Sequence, residues 1–112
     1  MYVYKIFRGE EYAAFQNEKS SFGAPIDVED GYIHLSTLEQ VPDTLRLHFP
    51  QATGLYLLAL DADALGEDLK WEASRGGALF PHLYRTMTAE DVQWAEPIPL
   101  YNGTHIIPKA AI

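Results

Sequence analysis

His34, Ser36 and Thr37 stand close together in the run Gly31-Tyr32-Ile33-His34-Leu35-Ser36-Thr37, which brings one imidazole and two hydroxyls to a single place in the chain. In an extended strand alternate side chains share a face, so Tyr32, His34 and Ser36 point one way and Ile33 and Leu35 the other. An imidazole so placed can shuttle a proton near neutral pH or hydrogen-bond a ribose or phosphate. Ser36 and Thr37 precede a helical pattern opening at Glu39, and Ser36-Thr37-Leu38-Glu39 matches a capping box. The amides of a helix start also suit an anion. The plainer alternative is a half-buried histidine bonded to a carbonyl, next to a helix cap.

A second polar cluster lies downstream in Lys70-Trp71-Glu72-Ala73-Ser74-Arg75-Gly76-Gly77 and Phe80-Pro81-His82-Leu83-Tyr84. Glu72, beside aromatic and glycine-rich segments, could bind sugar hydroxyls or stabilise a developing oxocarbenium ion. Its ordinary alternative is a solvated ion pair with Lys70 or Arg75. Arg75 ahead of two glycines suits a loop that folds over an anion. His82 and Tyr84 alternate onto one face, as a ring-stacking pair or as part of a wet edge strand. Two such clusters on a short chain predict one composite site. No nucleophile elbow is present. The four histidines show no i,i+4 or HExxH spacing, so no metal site is predicted.

The elements that must position these groups follow from periodicity. Tyr2 to Phe7 alternates as a strand and Gly9 breaks it. Glu10 to Glu18 reads as a helix with acids in its first turn and Tyr12 and Phe15 on one face. Ser20 to Pro25 reads as loop and Asp27 to Gly31 as a turn, with a strand over Tyr32–Leu35. The helix behind Ser36 runs to about Phe49, with Val41, Leu45, His48 and Phe49 on one side, and Pro50 stops it. The continuous apolar run Gly54–Leu60 predicts a central strand buried on both faces. Leu69–Ala73, Pro81–Tyr84 and Val92–Ile98 read as further strands, and Pro97, Pro99 and Pro108 make the tail an edge or irregular region. With helices early and strands late, residues 1–112 read as a single α+β domain.

Bulk chemistry narrows the partners. The net charge is −8, and residues 1–56 and 57–112 each carry eight acids and four bases. A surface of that sign repels a phosphate backbone, which argues against large nucleic acids. There is no cysteine, hence no disulfide or thiolate site, in keeping with a cytoplasmic setting. Met1 to Ile6 lacks the apolar core of a signal peptide, and the longest apolar run is too short to span a bilayer.

Tyr4-Lys5-Ile6, Asp30 to Thr37, Lys70-Trp71-Glu72 and Phe80 to Tyr84 together resemble the domain-of-unknown-function family 952 of small bacterial proteins. The order of His34-Leu35-Ser36, a helix over Val41–Phe49, a strand over Leu55–Leu60 and then Asp61-Ala62 is also similar to the RNA 2′-phosphotransferases of the ADP-ribosyltransferase superfamily. That resemblance implies two small split antiparallel sheets with two or three helices, cradling NAD as cofactor or substrate. It implies ADP-ribosyl transfer or NAD hydrolysis, with His34 and Glu72 as catalytic residues. Lys5, His34, Ser36, Thr37, Arg75, His82 and Tyr84 would then contact the nucleotide, Tyr84 by stacking on nicotinamide. Tyr4-Lys5 stands where the RNA 2′-phosphotransferases carry Arg-His, and their arginine cluster is missing. A small nucleotide, rather than RNA, is therefore the implied ligand, with a protein acceptor or partner as a further expectation. A non-catalytic ligand-binding or protein-binding module on the same fold is the second reading.

Overall fold

The computed structural model describes residues 1–112, with the side chain of Arg75 outside the described residues. The apolar run behaves as its composition dictates. Strand β4 (Leu55–Asp61) lies in the middle of a three-stranded antiparallel sheet, between β1 (Tyr2–Phe7) and β8 (Val92–Ile98). Leu58 and Leu60 enter one core with Val3 and Phe7, while Leu55, Leu57 and Ala59 enter a second core with Tyr4 and Ile6. The edge strand β8 carries Pro97, and its register shifts by a bulge opposite Ala59 and Leu60.

A second three-stranded antiparallel sheet is ordered β3 (Ile33–His34), β6 (Leu79–Leu83), β5 (Leu69–Ala73). Two short ribbons complete the strands: β2 (Ser20–Ser21) with β7 (Met87–Thr88), and β9 (Leu100–Tyr101) with β10 (Thr104–His105). The first core fills the space between the two main sheets, where Ile33, Leu35 and Leu83 meet Phe7 and Leu58. The sheets touch along one seam, at which Tyr4 and Ser36 exchange backbone hydrogen bonds of 2.8 and 2.9 Å.

Among the described residues there are four α-helices, α1 (Gly9–Glu18), α2 (Pro25–Asp30), α3 (Val41–His48) and the single turn α4 (Ala62–Leu65), against the two or three expected. In α1, Phe15 is buried against Phe7 and Tyr12 stacks on Tyr56. Two local expectations are corrected. The segment read as a turn is α2: Pro25 starts it, Asp27 caps the Ala24 amide, and Gly31 closes it at φ 85°. That left-handed geometry suits glycine. The capping box is Thr37 with Gln40, not Ser36 with Glu39, and it opens a 3-10 turn over Leu38–Gln40 that leads into α3. Ser36 cannot serve, because its backbone is tied to Tyr4 and its hydroxyl lies 3.2 Å from that of Thr44. Among the described residues no helix is long and apolar enough to cross a membrane.

Candidate functional site

Alternation in β1 sets the problem that the site solves. Lys5 shares a face with Val3 and Phe7 and so points between the sheets, where it is 5% exposed. An ammonium group there must be paired. Asp27, 1% exposed, supplies the pair: its Oδ2 lies 2.6 Å from Lys5 Nζ. The same carboxylate accepts from the Ala24 amide at 2.7 Å, from the His34 amide at 2.9 Å and from His34 Nδ1 at 2.5 Å. Asp27 thus fixes one lysine, one imidazole and the start of α2. Lys5 also donates to the His34 carbonyl at 3.2 Å. The other ring nitrogen of His34 lies 3.0 Å from Asp30 Oδ2.

Burial alone would raise the Asp27 carboxyl, but the hydrogen bonds from His34 and the charge of Lys5 outweigh it and hold the group at about 2 against an ordinary 3.8. A folded-state value below the unfolded one adds stability that is complete above the ordinary value and lost as the pH falls through it toward 2. The loss is roughly 2 kcal/mol by linkage. Urea midpoints measured from about pH 5 down to about pH 2.5 are expected to fall more steeply for the native chain than for Asp27→Asn. Equal acid dependence in the two proteins would refute this role.

The second cluster is built the same way. Cα pairing sets His34 opposite His82 across β3 and β6, and Glu72 opposite Phe80 across β5 and β6. Glu72 Oε1 accepts from His82 Nδ1 at 2.8 Å and from the Tyr84 hydroxyl at 2.7 Å. These bonds, Tyr84 first, hold the Glu72 carboxyl below its usual range, and the bond to Glu72 pushes the Tyr84 phenol up to about 12. His82 is 3% exposed. For His82 the wet-edge alternative is therefore corrected, since β6 is the middle strand of its sheet, whereas Tyr84, one residue past β6, is exposed. Tyr32 joins the clusters, with ring centroids 4.7 Å from His34, 4.2 Å from His82 and 5.1 Å from Tyr84.

Both clusters border one cleft of about 730 Å³, within the usual range for small-molecule sites. Lys5, His34, Ser36 and His82 line it. Glu72, Thr37 and Tyr84 do not: Glu72 and Tyr84 are partly exposed and reach the cleft only through the bond from Glu72 to His82, and Thr37 caps the turn that leads into α3. The side chain of Arg75 lies outside the described residues. Several lining groups escaped the sequence reading. Arg8, whose guanidinium carbon sits 4.8 Å from the Phe49 ring centroid, lies at the cleft with His48. Asp27 was hidden in a presumed turn, although Pro25 two residues earlier marks a helix start at which an acid at the third position caps. Among the described residues no group of three His, Cys, Asp or Glu side chains is placed to hold a metal ion.

The arrangement is that of a small α+β protein whose ionisable groups converge on one cleft between two antiparallel sheets. The family described as "Protein of unknown function (DUF952)" matches residues 6–95, and the chain belongs to it. The crystal structure of protein CC0527 from Caulobacter crescentus is similar, with 42% identity over 95% of this chain and 94% of that one and a TM-score of 0.90. The solution structure of CC0527 gives 42% identity over 93% and 90% of the two chains, with a TM-score of 0.83. No match is found among curated proteins.

Proposed function

We propose that the cleft binds NAD or a related nucleotide and that its chemistry is cleavage or transfer at the N-glycosidic bond. The observation that carries this reading is the pair of histidines, His34 and His82, set opposite each other on β3 and β6 with ring centroids 5.4 Å apart and each held by its own carboxylate. Around them the cleft offers hydroxyls from Ser36 and Thr44, aromatic walls from Phe49 and Phe80, and Arg8, which makes no ion pair among the described residues. Those groups suit a sugar, a flat ring and a phosphate respectively. The resemblance to the ADP-ribosyltransferase superfamily supports the same ligand. When the bond between ribose C1′ and nicotinamide breaks, both electrons leave with nicotinamide and positive charge builds on the ribose. Glu72, bonded to His82, supplies compensating negative charge.

Calorimetric titration with NAD, ADP-ribose and nicotinamide tests the reading. NAD or ADP-ribose is expected to bind saturably, and His34→Ala to weaken binding at least ~10-fold, about 1.4 kcal/mol. Absence of binding by all three ligands would sink the proposal. A second reading, a non-catalytic ligand-binding or protein-binding module, is favoured by one feature: the charge of Lys5 is already spent on Asp27. Saturable binding without nicotinamide release would select it.

A further inference from the structure

His82 has a property that nucleotide binding leaves unused. At 3% exposure, both of its ring nitrogens call for partners. Nδ1 has one in Glu72, at 2.8 Å. Nε2 has none among the described residues, and the ring lines the cleft. An ionised carboxylate only accepts hydrogen bonds, so Nδ1 carries a proton, and the neutral form of the ring that this favours is the one with Nε2 as a bare acceptor. Glu72 is itself held in place, because the Tyr84 hydroxyl donates to the same oxygen and the Tyr32 ring packs against both His82 and Tyr84. His34, the nearest other base, does not compete: its ring nitrogens face Asp27 and Asp30.

The geometry points to His82 as a proton acceptor for a hydroxyl or water bound in the cleft, with Glu72 as its positioning residue. The identity of the reaction rests on the nucleotide reading. In that setting the acceptor O–H gives its proton to Nε2 as its oxygen bonds to ribose C1′. The bond from C1′ to nicotinamide breaks, and its electron pair leaves with nicotinamide. The imidazolium so formed keeps its Nδ1–H on Glu72, whose charge stabilises it, and then loses the Nε2 proton to solvent.

Long-range proton–nitrogen correlation spectra of ¹⁵N-labelled protein at about pH 7.5 read the tautomer directly, with His82→Asn supplying the assignment. His82 is expected as the Nδ1–H form, and its bare Nε2 resonance should move when ADP-ribose is added. Glu72→Gln, whose amide can either donate to or accept from Nδ1, should mix the two tautomers. In an assay of nicotinamide release from NAD, Glu72→Gln and His82→Asn should each lose about 10²–10⁴-fold. A protonated Nε2 in the native chain, or an unchanged tautomer in Glu72→Gln, would overturn the inference. If ADP-ribose and NAD leave every resonance in place, the nucleotide reading fails, and the tautomer still decides the role of His82.

Discussion

Asp27→Asn is expected to lower the stability of the fold by roughly 3–5 kcal/mol, the range for removing one partner of a buried ion pair. The native carboxylate neutralises Lys5 and accepts from two backbone amides and one imidazole. An asparagine leaves the Lys5 ammonium, 5% exposed, with no negative charge beside it, only neutral oxygens such as the His34 carbonyl 3.2 Å away. It also turns one acceptor oxygen into a donor facing other donors. Against a total stability of about 5–15 kcal/mol for an ordinary domain, this is a large fraction. The melting temperature should fall by on the order of 15 °C. Lys5→Met in the Asp27→Asn background should recover part of the loss, because no buried charge then remains unpaired. A urea midpoint for Asp27→Asn that corresponds to less than about 1 kcal/mol of loss would show the pair to be energetically idle.

Gly23→Ala should have the next largest effect, and it acts on the same carboxylate from outside the site. Gly23 sits at φ 97°, a region that L side chains rarely adopt, and its amide donates to Ser21 Oγ at 2.8 Å. A methyl group there would lie 2.6 Å from Asp27 Cβ and would also overlap Oδ2. Asp27 cannot yield, because four donors hold it. The cost should exceed about 2 kcal/mol, combining backbone strain with overpacking. Gly31→Ala is the natural control. It has φ 85° but nothing within 4 Å of the added carbon, so only the backbone term of about 1–2 kcal/mol applies. Equal destabilisation of the two variants, measured by urea denaturation, would refute the steric argument. Loss of the His34 to Asp27 contact in Gly23→Ala, but not in Gly31→Ala, should also show in histidine nitrogen shifts.

The parts of the molecule legible in the sequence are those fixed by short-range pattern. The all-apolar run marked β4, alternation marked β1 and β8, and the spacing of Tyr12 and Phe15 marked the buried side of α1. His34, Ser36 and His82 could be named as candidates because their residue types are chemically conspicuous. Lys5 was placed by resemblance alone. What escaped depends on contacts between segments distant in sequence. Asp27 looks like any turn acid until β1 brings Lys5 to it. The choice of Thr37 over Ser36 as cap follows from the bridge to Tyr4, which no local window contains. Glu72 looked like a group that would face a ligand, yet its carboxylate is turned to His82 Nδ1 and the Tyr84 hydroxyl, a contact that only the pairing of β5 with β6 creates.

The pairing of β1 has a bearing on how the chain acquires its cleft. Tyr2 pairs with Asp61 and Phe7 with Tyr56, so nearly half the chain separates the two strands. Closing a loop of that length costs entropy before any contact repays it, and folds dominated by such pairings form slowly. β1 carries both Lys5, the cation of Asp27, and Tyr4, one side of the seam with Ser36. The cleft is therefore complete only once this long-range pairing has formed, and no single local segment builds it. In a Trp71→Phe variant, refolding monitored by Trp94, which packs on Tyr4 with ring centroids 5.9 Å apart, would report the arrival of that strand.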